Sequence, residues 1–393
     1  MVQPTKSSGA YDLVIVGASF AGLVAARTAA MRGLRVAVLE AKPDAGARVH
    51  TTGILVKEAA EEIDIPHHLT RRVHGVRLYA PNHTSSDFFA PGYFFLTTRT
   101  GELLRWLARE AERAGAKIFY SARFRGAERD GGEVRLAKPM LRARYLIGAD
   151  GARSRVAKDF GLGRNRRFLI GLEAEYDTLE TVDPRFLHCF IDSKLAPGYL
   201  AWLAPGPDRT QVGLAVHDKA RPDLARFMAS TDHLFGYGDG HVRERRSGLI
   251  PCGGMVSPIA ARDVLLIGDA AGMVSPLTGG GIRLAFHFAR RAAQAVADHL
   301  QHMGPVPEVA LARELPRFGA KGLMRRAIDL APANPLLNTL FATGPMKALA
   351  RHLYFHQRGV PGITFAEFER HLRRVEDWGA VPGAAMPREV REA

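Results

Sequence analysis

The stretch from Asp12 to Glu40 constrains this chain more than any other. Asp12-Leu13-Val14-Ile15-Val16 is short, continuous and β-branched, the pattern of a strand buried in a parallel sheet. Gly17-Ala18-Ser19-Phe20-Ala21-Gly22 follows at once. Leu23 to Arg32 then reads as an alanine-rich helix, and Arg35-Val36-Ala37-Val38-Leu39 as a second strand ending at Glu40. A strand, a glycine turn, a helix and a strand, with an acidic residue about 20 positions past the turn, is the dinucleotide-binding arrangement. Gly17 permits the tight turn and Gly22 lets the helix pack close to the sheet. The helix amino terminus offers free N–H groups and a positive dipole end to a pyrophosphate. Glu40 can accept hydrogen bonds from both ribose hydroxyls of an adenosine. Ser19 stands where a middle glycine is usual, but its small hydroxyl can bond a phosphate oxygen.

Two later segments extend the pattern. Tyr145-Leu146-Ile147-Gly148-Ala149-Asp150-Gly151 is a strand ending in Asp-Gly, followed by Ala152-Arg153-Ser154-Arg155-Val156. Asp263-Val264-Leu265-Leu266-Ile267-Gly268-Asp269 is another strand with an aspartate at its carboxyl edge, where ligands of open parallel sheets bind. Either aspartate can hold the hydroxyls of a ribityl chain or ribose. Ser275-Pro276-Leu277-Thr278-Gly279-Gly280-Gly281-Ile282-Arg283 precedes a helix from Leu284 to about His299, adding a second cluster of N–H donors. The candidate cofactor-binding residues are Gly17, Ser19, Phe20, Ala21, Gly22, Glu40, Ala41, Arg48, Asp150, Gly268, Asp269, Pro276, Gly279, Gly280, Gly281 and Ile282.

The order of these motifs resembles that of the para-hydroxybenzoate hydroxylase-type flavoproteins, over nearly residues 11 to 300. The resemblance implies FAD as cofactor. It also implies that Arg99, in Thr97-Thr98-Arg99-Thr100-Gly101-Glu102, lies near the flavin phosphates or ribityl chain; otherwise Arg99 caps or solvates the helix from about Gly101 to Ala114. Of three branches, aromatic monooxygenases, halogenases and geranylgeranyl reductase-like enzymes, the chain most resembles the last. The residues that carry this are Pro197-Gly198-Tyr199-Leu200-Ala201-Trp202-Leu203-Ala204-Pro205, Gly248-Leu249-Ile250-Pro251 and the Ser275 to Ile282 run. Tyr199 and Trp202 are the candidate substrate-binding residues. Leu200 and Ala204 depart from the branch pattern, and His50-Thr51-Thr52-Gly53 stands where some reductases have a cysteine. Ala157 stands where monooxygenases usually have arginine, and no Trp-x-Trp-x-Ile-Pro segment of a halogenase is present.

The fold class expected is α/β: a Rossmann-like FAD-binding domain with an inserted antiparallel-sheet substrate domain and a helical C-terminal region. Residues 10–70, 96–165 and 250–307 are assigned to the FAD-binding domain, 71–95 and 166–249 to the substrate domain, and 308–393 to the helical region. The inserted sheet is expected to cover the flavin with one face and to meet solvent with the other. Its aromatics, Phe88, Phe89, Tyr93, Phe94, Phe95, Tyr199 and Trp202, line an apolar substrate tunnel or fill a core.

Composition narrows the partners. The 393 residues are 47% hydrophobic and 24% charged, as in ordinary globular proteins, with a formal charge of +14. Basic clusters at Arg164 to Arg167, Arg243 to Arg246, Arg325-Arg326 and Arg373-Arg374 read first as solvated surface. No nucleic-acid-binding motif accompanies them, so no nucleic acid is expected. The apolar run Leu13 to Ala26, after Lys6, is too short to span a bilayer and fits the dinucleotide motif better than a signal peptide. A cytoplasmic protein is expected. Its C-terminal helices either cover the flavin domain or touch a membrane holding a lipid substrate. Cys189 and Cys252 read as packed thiols. His352 and His356 lie one helical turn apart without an acidic third ligand, so no metal is expected.

The activity these features imply is hydride transfer from reduced FAD to a carbon–carbon double bond of an apolar, isoprenoid-like substrate. No second dinucleotide turn is visible, so NAD(P)H or a protein electron donor must meet the flavin from outside. The catalytic proton donor is unassigned. Alternatives are an NAD(P)H-dependent aromatic hydroxylase, a flavin-fold cyclase without net redox change, and a binder that keeps the fold without turnover.

Overall fold

A computed structural model describes residues 10–90, 92–238, 241–330 and 332–355. Lys6, His356 and the Arg373-Arg374 cluster lie outside the described residues. Strand Ala10–Val16 forms the middle of a parallel core, with Leu13, Val14 and Ile15 fully buried. It pairs in parallel with Val36–Leu39 on one side and Leu141–Gly148 on the other. Leu141–Gly148 pairs in parallel with Val264–Leu266, and Val36–Leu39 with Lys117–Phe119. Parallel pairing sends all these strands the same way. The carboxyl ends Val16, Leu39, Gly148 and Leu266 therefore fall on one edge of the sheet. Motifs far apart in the chain meet there because the strand before each is too apolar to lie anywhere but the centre.

The first helix, Phe20–Met31, begins earlier than its apolar pattern alone suggests. Its first internal bond runs from Leu23 N to Ser19 O at 2.9 Å. The amides of Phe20, Ala21 and Gly22 thus form the open first turn. A Cβ on Gly22 would lie 1.8 Å from Gly17 O, so a side chain there would force this helix off the sheet. Helix Ile282–Leu300 packs beside it, with Phe286 edge-on to Phe20 at 5.6 Å.

The inserted region builds a seven-stranded sheet in the order Val242–Pro251, Phe168–Asp177, Arg209–His217, Ala201–Pro205, Phe186–Phe190, Gly75–Tyr79, Ser85–Phe89. Its pairings are antiparallel except between Phe186–Phe190 and Gly75–Tyr79, which run parallel. That junction joins the two separate stretches of chain, so no hairpin dictates its direction.

The structure departs from two expectations. The sheet face turned from the flavin side is not solvated: helix Leu224–Phe235 covers it, packing Phe227 and Phe235 against Tyr79, Phe190 and Val212. Accordingly, seven consecutive residues of strand Arg209–His217, Thr210 to Val216, are buried. The C-terminal helices Gly319–Asp329, Asn334–Ala342 and Gly344–Phe355 do not simply cover the flavin domain. Ala350 and Phe355 pack with Val73, Phe88, Tyr93 and Phe95 of the inserted region. Among the described residues no helix is long and apolar enough to cross a membrane.

Candidate active site

A cavity of about 1430 Å³ opens from the carboxyl edge of the parallel sheet and runs under the seven-stranded sheet. Ligand pockets usually hold ~300–1,000 Å³, so this one has room for two ligands end to end. Its polar end contains Gly17, Ser19, Phe20, Ala21, Glu40, Ala41, Arg48, Asp150, Gly268, Asp269 and the run Gly279 to Ile282. Gly22 is not on the wall; it does the packing task expected of it.

The polar end fits a flavin dinucleotide on its own chemistry. Ser19 precedes the first helix and makes no capping bond with its side chain, leaving the hydroxyl free beside the open amides. Glu40 is buried and braces the turn: Oε2 accepts from Ala18 N and Oε1 from Lys42 N, both at 2.8 Å. Each oxygen keeps a lone pair for a ribose hydroxyl. Arg48, at a positive φ of 45°, reaches the cavity wall and has no ion pair among the described residues. Asp269 has no hydrogen-bond partner for its carboxylate among the described residues, and burial alone raises its pKa to about 6. An acceptor left without protein donors is expected to serve a ligand's hydroxyls.

Asp150 has a different task from the one its position suggests. Its Oδ1 accepts from Ser154 Oγ at 2.6 Å, and Oδ2 accepts from Arg155 N at 2.7 Å and Val156 N at 3.1 Å. It ties the Asp-Gly turn to the short helix Arg155–Asp159 while still lining the cavity. Asn165, which no motif singles out, joins the two late segments. Its Nδ2 donates to Ala152 O at 3.1 Å and to Asp269 O at 2.8 Å. Nothing in a lone asparagine marks that bridge in advance.

Two candidate residues do not stand where their motifs suggest. Arg99 does not line the cavity. It sits at the start of helix Thr100–Arg113 and pairs with Asp208 at 3.0 Å and Glu102 at 3.5 Å. Asp208 comes from a turn of the inserted sheet that draws the guanidinium away. Pro276 lines a neighbouring cavity of about 410 Å³, with Arg325 and Phe318, and not the large one.

The other end of the large cavity is apolar. Leu78, Phe95 and Leu187 come from the sheets, Ile191 from just past strand Phe186–Phe190, and Leu337, Leu340, Leu349 and Leu353 from the C-terminal helices. Of the inserted aromatics, Phe95, Tyr199 and Trp202 reach the wall, whereas Phe88 and Tyr93 fill core. Phe94 lies under Arg72, with Cζ 4.4 Å from the ring centroid. Cys189 lines the cavity as a buried thiol, pushed up to about 11 by burial, and Cys252 is likewise buried. No group of three His, Cys, Asp or Glu side chains is placed to hold a metal among the described residues.

Tyr199 and Trp202 stand at the waist between the two ends. The Tyr199 hydroxyl donates to Thr278 O, in the second glycine turn, and burial pushes its pKa up. Trp202 Nε1 donates to Glu173 Oε2 at 3.0 Å, and Thr52 Oγ1 donates to the same oxygen at 2.6 Å. Glu173 is 4% exposed, and burial raises its pKa to about 7. No sequence motif points to it. Its partner Arg246 lies directly opposite on strand Val242–Pro251, so the solvated-surface expectation for Arg243 to Arg246 fails at Arg246. It fails also at Arg325, which is fully buried and pairs with Asp329.

This fold and site define a flavin-dependent oxidoreductase. The family described as FAD binding domain matches residues 10–306, and the chain belongs to it, in its geranylgeranyl reductase-like branch. The chain is similar to digeranylgeranylglycerophospholipid reductase of Methanocaldococcus jannaschii, at 29% identity over 70% of this chain and 74% of that one. It is 31% identical to digeranylgeranylglycerophospholipid reductase 1 of Methanothermobacter thermautotrophicus, over 69% of this chain and 73% of that one. Among solved structures, a geranylgeranyl bacteriochlorophyll reductase-like protein from Thermoplasma acidophilum has a TM-score of 0.76 at 21% identity, covering 94% of this chain and 99% of that one. A flavin-dependent brominase has a TM-score of 0.65 at 18% identity, covering 94% and 99%. At these identities the two structures speak for the fold alone.

Proposed function

We propose that the protein reduces carbon–carbon double bonds of an apolar, isoprenoid-like lipid by hydride transfer. The observation that carries this reading is the single cavity that passes from the flavin-binding edge into a lobe walled by aliphatic side chains. A long hydrocarbon chain suits such a lobe, because burying each CH₂ contributes about 0.8 kcal/mol and nothing there would need a hydrogen bond. Similarity to reductases of digeranylgeranyl lipids supports the same substrate class.

FAD, when bound, supplies the hydride. The chain's own residues do the rest. The open amides of Phe20 and Ala21, Ser19 and Arg48 would hold the pyrophosphate, and Glu40 and Asp269 the sugar hydroxyls. Tyr199 and Trp202 would hold an alkene at the waist, and the helices from Asn334 to Phe355 would exclude water from the chain beyond it. Reducing equivalents come from NAD(P)H or from a protein donor that meets the flavin directly.

A lipid substrate must be reached at a membrane. Leu323, Leu330 and Leu336 are 69%, 84% and 52% exposed on the segments that wall the lobe, with exposed Arg326 between them. A face of bare leucines beside a cation suits an anionic lipid surface.

The test is product analysis. Reduced holoenzyme is incubated in sealed vessels with a geranylgeranyl lipid. A product one hydrogen molecule heavier per bond reduced supports the reading. A product formed only in air, and heavier by one oxygen atom, would establish a hydroxylase instead.

A further inference from the structure

Hydride addition to an alkene leaves the neighbouring carbon in need of a proton. A buried, mostly apolar lobe offers few sources, and of the carboxyl groups that line the cavity among the described residues, only that of Glu173 comes from the seven-stranded sheet rather than from the cofactor motifs. Glu173 lies on the cavity wall at the waist, beside the Trp202 indole, with Thr52 on its other side. We infer that Glu173 is the acid that protonates the substrate carbon next to the one that receives the hydride. This rests on the reductase reading and extends it to a residue outside every motif of the cofactor site.

Charge counting supports it. Five charged groups face one another across three adjacent strands. Glu173 and Glu175 lie on strand Phe168–Asp177, Glu244 and Arg246 on Val242–Pro251, and Arg209 on Arg209–His217. Arg246 binds Glu175 at 2.5 Å and Glu244 at 2.9 Å, and Arg209 binds Glu175 at 2.9 Å. Two guanidiniums thus meet three carboxyl groups. Glu173 is left with the longest contact, 3.6 Å from its Oε1 to Arg246 Nη1, and neither of those atoms has a hydrogen-bond partner among the described residues.

The protonation pattern follows. Oε2 already accepts from Thr52 and Trp202, whereas the buried Oε1 has no donor, so protonating Oε1 breaks neither bond. Burial is the largest influence on Glu173 and favours the neutral acid, while Arg246 and the two hydrogen bonds oppose it. The outcome is a pKa of about 7, suited to an acid that must both hold and release a proton near neutrality. Gln211, beside Glu175, and His50, whose Nδ1 lies 2.8 Å from Ser247 O, complete the polar surroundings.

The step balances. The alkene π pair takes the proton from Glu173 and forms one C–H bond, and the hydride from reduced flavin forms the other. The alkene gains two electrons, the flavin loses two, and the Glu173 carboxylate regains its proton from water.

The test has two arms on the FAD-loaded protein. The first needs no substrate. Infrared difference spectra between acid and alkaline pH should contain the C=O stretch of a protonated carboxyl that titrates near pH 7 and vanishes in Glu173→Gln. A band near pH 7 that survives Glu173→Gln and is not the one near pH 6 that Asp269→Asn removes, or the absence of any such band in the wild type above pH 5, overturns the inference. In the second arm, Glu173→Gln keeps bound FAD and its spectrum, since glutamine still accepts from Thr52 and Trp202. Its alkene-dependent flavin reoxidation should fall by about a hundredfold or more. The wild-type rate should decline as pH rises through about 7, and the residual rate of the variant should not. An undiminished rate in Glu173→Gln overturns the inference. If the wild type itself fails with isoprenoid alkenes, the reductase reading fails, and the infrared arm still decides the state of Glu173.

Discussion

Gly213 lies directly beneath the indole of Trp202: a Cβ there would come within 2.5 Å of Cζ2. Trp202 and Gly213 are partners across one strand pair, and Gly213 and Glu173 across the next. The indole therefore crosses the bare middle strand to reach the carboxyl group on the far side, and only a residue without a side chain leaves that path open. Gly213→Ala should push the ring up and break its 3.0 Å bond to Glu173. Overpacking of this kind costs about 1–3 kcal/mol of stability. Loss of the bond should slow alkene reduction by about tenfold or more. Bound FAD should be retained, and near-ultraviolet dichroism reports the displaced tryptophan.

Asp269 should govern cofactor affinity. Its carboxylate has no protein donor to lose, so Asp269→Ala removes only what it gives to a ligand. A hydrogen bond to a charged group contributes about 1.5–3 kcal/mol. The Kd for FAD, read from quenching of flavin fluorescence, should rise about tenfold to a hundredfold.

Glu173 also sets a pH dependence of stability. Its pKa is about 7 in the folded protein and near the ordinary 4.5 when unfolded, so the folded state binds the proton more tightly. Stability is then greatest below the unfolded pKa and declines as pH rises through about 7, where a buried charge must be carried. The difference amounts to roughly 3 kcal/mol. Urea unfolding of the wild type at pH 5 and pH 8 should show that loss, and Glu173→Gln should be flatter over the same interval.

The cofactor end of the site is legible in the sequence and its middle is not, for physical reasons. Strands such as Leu13 to Val16 announce their burial through unbroken β-branched residues, and glycines at Gly17, Gly22 and Gly279 stand where geometry leaves no alternative. Glu173 and Glu175 alternate with Leu172 and Ala174, which reads as a strand with a solvated face. Only the register with Arg246 reveals that this face points inward. Arg99 is drawn to Asp208, a partner 109 positions away that no local pattern predicts. Likewise, the amphipathic C-terminal helices give no sign of what they cover until the apolar lobe is seen.

Membrane contact should depend on the exposed leucines. Replacing Leu323, Leu330 and Leu336 with serine removes exposed apolar surface that touches no core, so folding should be unaffected. Co-sedimentation with anionic vesicles should fall at least tenfold, at about 1.5–3 kcal/mol for each leucine fully inserted. The remaining binding should weaken further with added salt.

The most direct test follows the flavin itself. Protein loaded with FAD is reduced with dithionite under strict anaerobiosis and mixed with a geranylgeranyl lipid while the absorbance of oxidised flavin is recorded. This absorbance should return without oxygen, in proportion to the double bonds reduced. A flavin that stays reduced against every isoprenoid alkene, and reoxidises only when air is admitted, would contradict the reductase reading.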